Sequence, residues 1–154
     1  MAHHYFDSSA LIKRYVAEAG TPWVQDLCLP TAGHVIYTVH VSGAEIVAAL
    51  FHRVRMGMLS LADAQAASAQ FKSDLHSDYQ IVEVTESLMD RALALSEKHS
   101  LRSYDSVQLA AALELHTLRA QLSLPSITFI SADEALNAVA RAEGLSVDNP
   151  NRHA

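Results

Sequence analysis

Apolar positions along the chain recur with two different periods. Tyr5-Phe6, the stretch from His34 to Val41, Ile81-Val82-Val84 and Ile127-Thr128-Phe129-Ile130 are short runs of β-branched and aromatic residues. Such residues favour a pleated, packed surface, so these runs predict strands. Between them apolar residues return every three or four positions. Leu11, Ile12, Tyr15 and Val16 do so first, with Lys13, Arg14 and Glu18 on the opposite, polar face. Ile46, Val47, Leu50, Phe51 and Val54 repeat the pattern up to Gly57, as do Leu88, Met89, Ala92, Leu93 and Leu95 later. This spacing predicts amphipathic helices. Strands alternating with helices predict an α/β domain with a mostly parallel sheet.

Capping residues punctuate the pattern. Asp7 or Ser8 suits the start of the first helix, Gly20 its end, and Thr21-Pro22 a cap followed by a first-turn proline;. Ser42 with Glu45 reads as a capping box;. Ser60 with Asp63 opens an alanine-rich helix to about Leu75, and Thr85 caps the one after it. Ser103 is the expected cap of a buried helix over Tyr104–Leu113, and the polar stretch from Arg119 to Ser123 leads out through Pro125. The last helix begins at Ser131-Ala132-Asp133-Glu134 and stops at Gly144. Leu145 to Val147 predicts an edge strand.

Composition sets limits on this picture. A length of 154 residues suits one domain, expected over 1–148 with a polar tail over 149–154;. One cysteine, Cys28, allows no internal disulfide and no cysteine metal cluster;. No apolar run reaches the ~18 residues that span a bilayer, and the first residues do not form a secretory signal, so a cytoplasmic protein without membrane contact is expected. The net charge of −6 gives no general attraction to nucleic acid;. A polyanionic substrate would need a local basic patch or bound cations.

Four acids stand out against the apolar segments. Asp7 and Asp133 each follow a strand, which puts both on one rim of a parallel sheet, where ligands bind. Glu45 and Asp105 each lie in the first turn of an apolar helix. Each has a structural explanation as a cap or as a complement to a helix dipole. Crowded together, however, carboxylates repel unless cations sit between them, and hard oxygen donors suit Mg²⁺ or Mn²⁺ rather than zinc.

Four segments carry a family resemblance. They are Phe6-Asp7-Ser8-Ser9-Ala10-Leu11-Ile12-Lys13, Glu45-Ile46-Val47-Ala48-Ala49-Leu50, Leu101 to Ala110 around Tyr104-Asp105-Ser106, and Ile130-Ser131-Ala132-Asp133-Glu134-Ala135-Leu136. In this order, and with Glu143-Gly144-Leu145 and Asn149-Pro150 at the end, the chain resembles PIN-domain ribonucleases of the VapC toxin type. The resemblance implies a three-layer αβα PIN-like domain and a magnesium-dependent endoribonuclease. It implies a small antitoxin protein as inhibitor, and a homodimer. It assigns Asp7, Glu45, Asp105 and Asp133 to the catalytic and metal site, with Ser9 in support.

On that reading a cation held by Asp7, Glu45 and Asp105 would activate water against a phosphodiester, with Asp133 either holding a second ion or orienting the water. Arg102, just ahead of Asp105, is the foremost candidate phosphate contact, joined by Lys13, Arg14, Arg53 and Arg55. Other chemistries fit poorly. An aspartyl phosphatase would want an acid two positions after Asp7, where Ser9 stands. A phosphate-cradling nucleotide binder would want a glycine-rich turn there. The nine histidines show no His-x-x-x-His spacing for zinc;. The alternative from another class is a catalytically silent PIN-like module that acts through protein binding alone.

Overall fold

The computed structural model describes all residues, Met1–Ala154. Five strands form one sheet: β1 (His3–Phe6), β2 (Val35–Val39), β3 (Tyr79–Val82), β4 (Thr128–Ile130) and β5 (Ser146–Asp148). Their order across the sheet is β3-β2-β1-β4-β5, and every neighbouring pair is parallel. Seven helices alternate with them: α1 (Ser8–Leu11), α2 (Thr21–Cys28), α3 (Ser42–Arg55), α4 (Leu61–Ser77), α5 (Glu86–His99), α6 (Ser103–Gln121) and α7 (Glu134–Ala142).

Alternation along β1 builds the two cores, because successive side chains on a strand face opposite ways. Tyr5 enters one cluster with Phe129, Leu88, Leu109 and Leu136, under α5, α6 and α7. Phe6 enters the other with Ile130, Leu11, Ile46, Leu50 and Phe71, under α1 to α4. The sheet is thus sandwiched between two helical layers, as the resemblance implies. Strand order reverses at β1/β4, so the chain leaves both strands at the switch point, where open parallel sheets bind ligands. Asp7 and Asp133 follow these two strands.

Several local expectations need correction. The first helix is short: after Leu11 it tightens into a single 3₁₀ turn over Ile12–Arg14. Lys13 is therefore not on a solvated face but 5% exposed. Its ammonium meets Glu18 at 3.3 Å, and Glu18 also takes Arg53 at 2.6 Å, so the chain turns back to satisfy a buried cation. Strand β3 begins at Tyr79 rather than Ile81, because its register runs from Ile36↔Tyr79 to Val39↔Val82 and leaves Val84 nothing to pair with. Helix α6 continues to Gln121, since Arg119 turns inward and donates from Nε to the Pro125 carbonyl at 2.7 Å.

Three expected caps are helical instead. Thr21, Ser42 and Ser103 are each the first residue of their helix, preceded by Gly20, Val41 and Arg102. Ser42 and Glu45 form no capping box, because the Ser42 side chain is buried and bonded elsewhere. Asp7, Ser60, Thr85 and Asp133 do cap, each accepting a backbone N–H three residues on. The residues after β5 form a short 3₁₀ turn, Pro150–His153, against α2.

Candidate active site

Asp7 is the anchor of the rim. Its backbone N–H continues the ladder to Ile130 O at 3.1 Å, and its side chain is 3% exposed. Oδ1 accepts from Ser9 Oγ at 2.7 Å and from the Ala10 N–H at 3.0 Å, while Oδ2 accepts from Ser131 Oγ at 2.6 Å. Burial pushes its carboxyl up to about 6; the bonds from Ser131, Ser9 and Ala10 pull down, and the Asp105 charge adds to the rise.

The two serines link the ends of β1 and β4. Ser9 Oγ accepts from the Ala132 N–H at 3.0 Å, and Ser131 Oγ accepts from the Asp133 N–H at 3.1 Å. Asp133 in turn spends Oδ1 on the Leu136 N–H at the start of α7, 3.1 Å away.

Glu45 reaches the rim from α3. Its Oε2 accepts from Ser8 Oγ at 3.0 Å and its Oε1 from Gln108 Nε2 at 2.8 Å. Ser8, Ser9, Lys13 and Glu45 line one hollow of about 360 Å³, whose wall also includes Arg53 and Ala132. Asp105 and Asp133 line a second, with Arg102. Burial raises the Asp105 carboxyl first, the Asp133 charge raises it further, and Arg102 opposes. Arg102 itself is 91% exposed and stands 4.0 Å from Asp105.

The four acids predicted from the sequence thus lie in two groups. Asp105 and Asp133 share one hollow with the Asp105 charge felt by Asp7, while Glu45 lines the neighbouring hollow and bonds Ser8, next to Asp7 in the chain, and Gln108, one turn past Asp105 on α6. No group of three or more His, Cys, Asp or Glu side chains is arranged to hold a metal ion by itself. Mg²⁺ does not require such a cage, since it keeps several waters and binds through one or two carboxylates plus substrate phosphate. An all-oxygen donor set in which the Asp105 charge raises Asp7 and the Asp133 charge raises Asp105 fits a hard divalent cation in kind;.

Ser131 and Gln108 are partners of these acids that sequence reasoning missed. Gln108 had a signal: it is the one polar residue in the run Val107–Leu113, three positions after Asp105 and so on its face of the helix;. Ser131 had none, because its bond to Asp7 spans 124 positions.

No family model matches the sequence, and no curated protein matches it. Solved structures do match in shape. PAE2754 from Pyrobaculum aerophilum is 17% identical, with a TM-score of 0.64 over 99% of this chain and 86% of its own. A toxin–antitoxin complex from Klebsiella pneumoniae is 16% identical, with a TM-score of 0.58 over 96% of this chain and 97% of that one. VapBC2 from Rickettsia felis, bound to a DNA fragment from its promoter, is 10% identical, with a TM-score of 0.61 over 96% and 98%. The chain therefore has the three-layer PIN-like fold that such toxin–antitoxin proteins share.

Proposed function

We propose that this protein is a divalent-cation-dependent endoribonuclease and the toxin of a toxin–antitoxin pair. The observation that carries the reading is Asp7: a buried carboxylate at the sheet's switch point, raised by burial and by the neighbouring charge of Asp105. A strongly perturbed acid beside other acids marks a functional site. The fold shared with toxin–antitoxin proteins supports the biological role.

Asp7, Glu45 and Asp105 would hold Mg²⁺ or Mn²⁺, which when bound lowers the pKa of a water and offsets charge on the phosphate. Around it the protein supplies positioning. Ser9, Ser131 and the Ala10 N–H fix the Asp7 carboxylate in one orientation. Asp133 is tied to α7 through Oδ1, so Oδ2 would be the atom left to orient a water or to meet a second ion. Arg102, exposed at the mouth, contacts an RNA phosphate, and Lys13 sits in the wall beside Glu45. With a net charge of −6, the chain depends on exposed local cations such as Arg102 to approach RNA, since Lys13 is buried against Glu18;. An antitoxin with a basic tail would compete for the same acids, and the toxin would pair as a homodimer.

The experiment is cleavage of total RNA by purified protein with Mg²⁺ or EDTA, alongside Glu45→Gln. Defined cut ends that vanish with EDTA and in the variant are expected. Equal cleavage in all three samples would sink the reading. The alternative, a silent binding module, draws on the protein donors that already engage every oxygen of Asp7 and Glu45. It predicts no cleavage and no stabilisation by Mg²⁺.

A further inference from the structure

Gln108 lies on α6 one turn after Asp105, yet it is 1% exposed. A buried primary amide must place one acceptor and two donors, and here each has a partner. Tyr5 Oη, on β1, donates to Gln108 Oε1 at 2.7 Å. Gln108 Nε2 donates to Ser42 Oγ and to Glu45 Oε1 on α3, each at 2.8 Å. One side chain thereby joins the central strand to the two helices that carry Glu45 and Asp105.

Counting protons fixes the direction of this network. A carboxylate has no proton to give, so the amide must turn its nitrogen toward Glu45, and the Tyr5 hydroxyl then donates to the oxygen left behind. Ser42 Oγ accepts from Gln108 and lies 2.8 Å from Thr38 Oγ1, which is 2.9 Å from the Phe6 carbonyl oxygen. Thr38 has one hydroxyl proton and a carbonyl can only accept. That proton serves Phe6, and Ser42 supplies the proton to Thr38. Each hydrogen is used once. The chain runs from Gln108 to the carbonyl of Phe6, the peptide that precedes Asp7.

We propose that Gln108 is a positioning residue for the acidic site: its amide, oriented by Tyr5, holds the Glu45 carboxylate in register with the helix that carries Asp105. This rests on the nuclease reading above. Gln108 touches neither substrate nor reacting atoms and acts through Glu45. Partners of this kind, behind a metal-binding carboxylate, typically change metal affinity or activity about 10–100-fold when removed.

The test uses Gln108→Leu, which removes the amide, and Tyr5→Phe, which keeps the amide and the packing but releases its lock. Mg²⁺ affinity is measured by calorimetry, and RNA cleavage is resolved into kcat and KM. Both variants should bind Mg²⁺ at least ~10-fold more weakly and lose kcat with KM for RNA unchanged, a split that mere core filling would not produce. In the metal-free protein the Gln108 side-chain amide resonances should move on Glu45→Gln. Mg²⁺ affinity within twofold of wild type in folded Gln108→Leu overturns the proposal; if that variant does not fold, Tyr5→Phe decides by the same criterion. Failure of the nuclease reading looks different: the wild type itself then neither binds Mg²⁺ nor cleaves RNA.

Discussion

Ser131, just past β4, donates a 2.6 Å hydrogen bond to Oδ2 of Asp7, just past β1. The two residues close the switch point from its two sides, and the same Ser131 oxygen receives the Asp133 N–H. One hydroxyl therefore sets where two of the acids stand. Removing it as Ser131→Ala leaves a buried carboxylate one donor short. A hydrogen bond to a charged group is worth about 1.5–3 kcal/mol, so the variant should lose about 2 kcal/mol at pH 8. Urea unfolding of the metal-free protein measures this directly, and a loss below ~0.5 kcal/mol would show that the bond carries little.

The same carboxylate, ionised at neutral pH, is a burden on the folded state. Its folded value near 6 lies above its ordinary 3.8. Between those values the folded chain binds more protons than the unfolded one, so metal-free stability falls as pH rises through that window. Asp7→Asn removes the charge and lets the hydroxyls of Ser9 and Ser131 turn. At pH 7.5 the variant should be more stable without metal, by about 3 kcal/mol on the scale of 1.36 kcal/mol per pH unit. It should also lose any stabilisation by Mg²⁺. A destabilised Asp7→Asn that still gains from Mg²⁺ would remove Asp7 from the site.

A second structural dependence lies at Gly20, where φ is +84° and an added Cβ would collide with the Pro150 carbonyl oxygen. The close approach seats the 3₁₀ turn over Pro150–His153 against α2, and there His153 stacks on Trp23 with ring centroids 4.1 Å apart. Gly20→Ala should cost about 1–3 kcal/mol in backbone strain and lift the turn away. Trp23 is the single tryptophan, so its emission reports the stack. Emission identical to wild type in a destabilised Gly20→Ala would mean that the turn stays seated and the strain is absorbed elsewhere.

How much of this could be read from the sequence depended on range. Strand and helix order was legible because each apolar run falls between capping residues, and Asp7, Ser60 and Thr85 cap as their positions imply. The candidate acids were legible for the same reason, since each stands at an element boundary. What failed was the direction of a side chain. Ser42 looks like a cap in one dimension, but its hydroxyl is claimed by Gln108, 66 positions away. Lys13 looks solvated until Glu18 folds back on it. Gln108 gains its meaning only when α6 is laid beside α3.

The far end of β1 carries a pH dependence opposed to that of Asp7. His4 meets the ring of His34 edge-on at 5.1 Å, and neither of its ring nitrogens has a hydrogen-bond partner. Burial lowers His4 to about 4, and the charges of His34 and His3 push the same way, while Asp148 opposes them. In the unfolded chain His4 takes its proton near 6.5. Between about 6.5 and 4 the unfolded state therefore binds more protons, and this contribution to stability, complete above pH 6.5, is lost as pH falls. Asp7 gains stability over nearly the same window, so the wild-type profile is the difference of two slopes. His4→Leu separates them, because it abolishes the histidine contribution and leaves Asp7 untouched. Urea midpoints at pH 7.5 and pH 4.5 should show the variant gaining on wild type as pH falls. A difference between the two proteins that stays constant across that range would mean that His4 takes up its proton alike in the folded and unfolded chain and contributes nothing to acid unfolding.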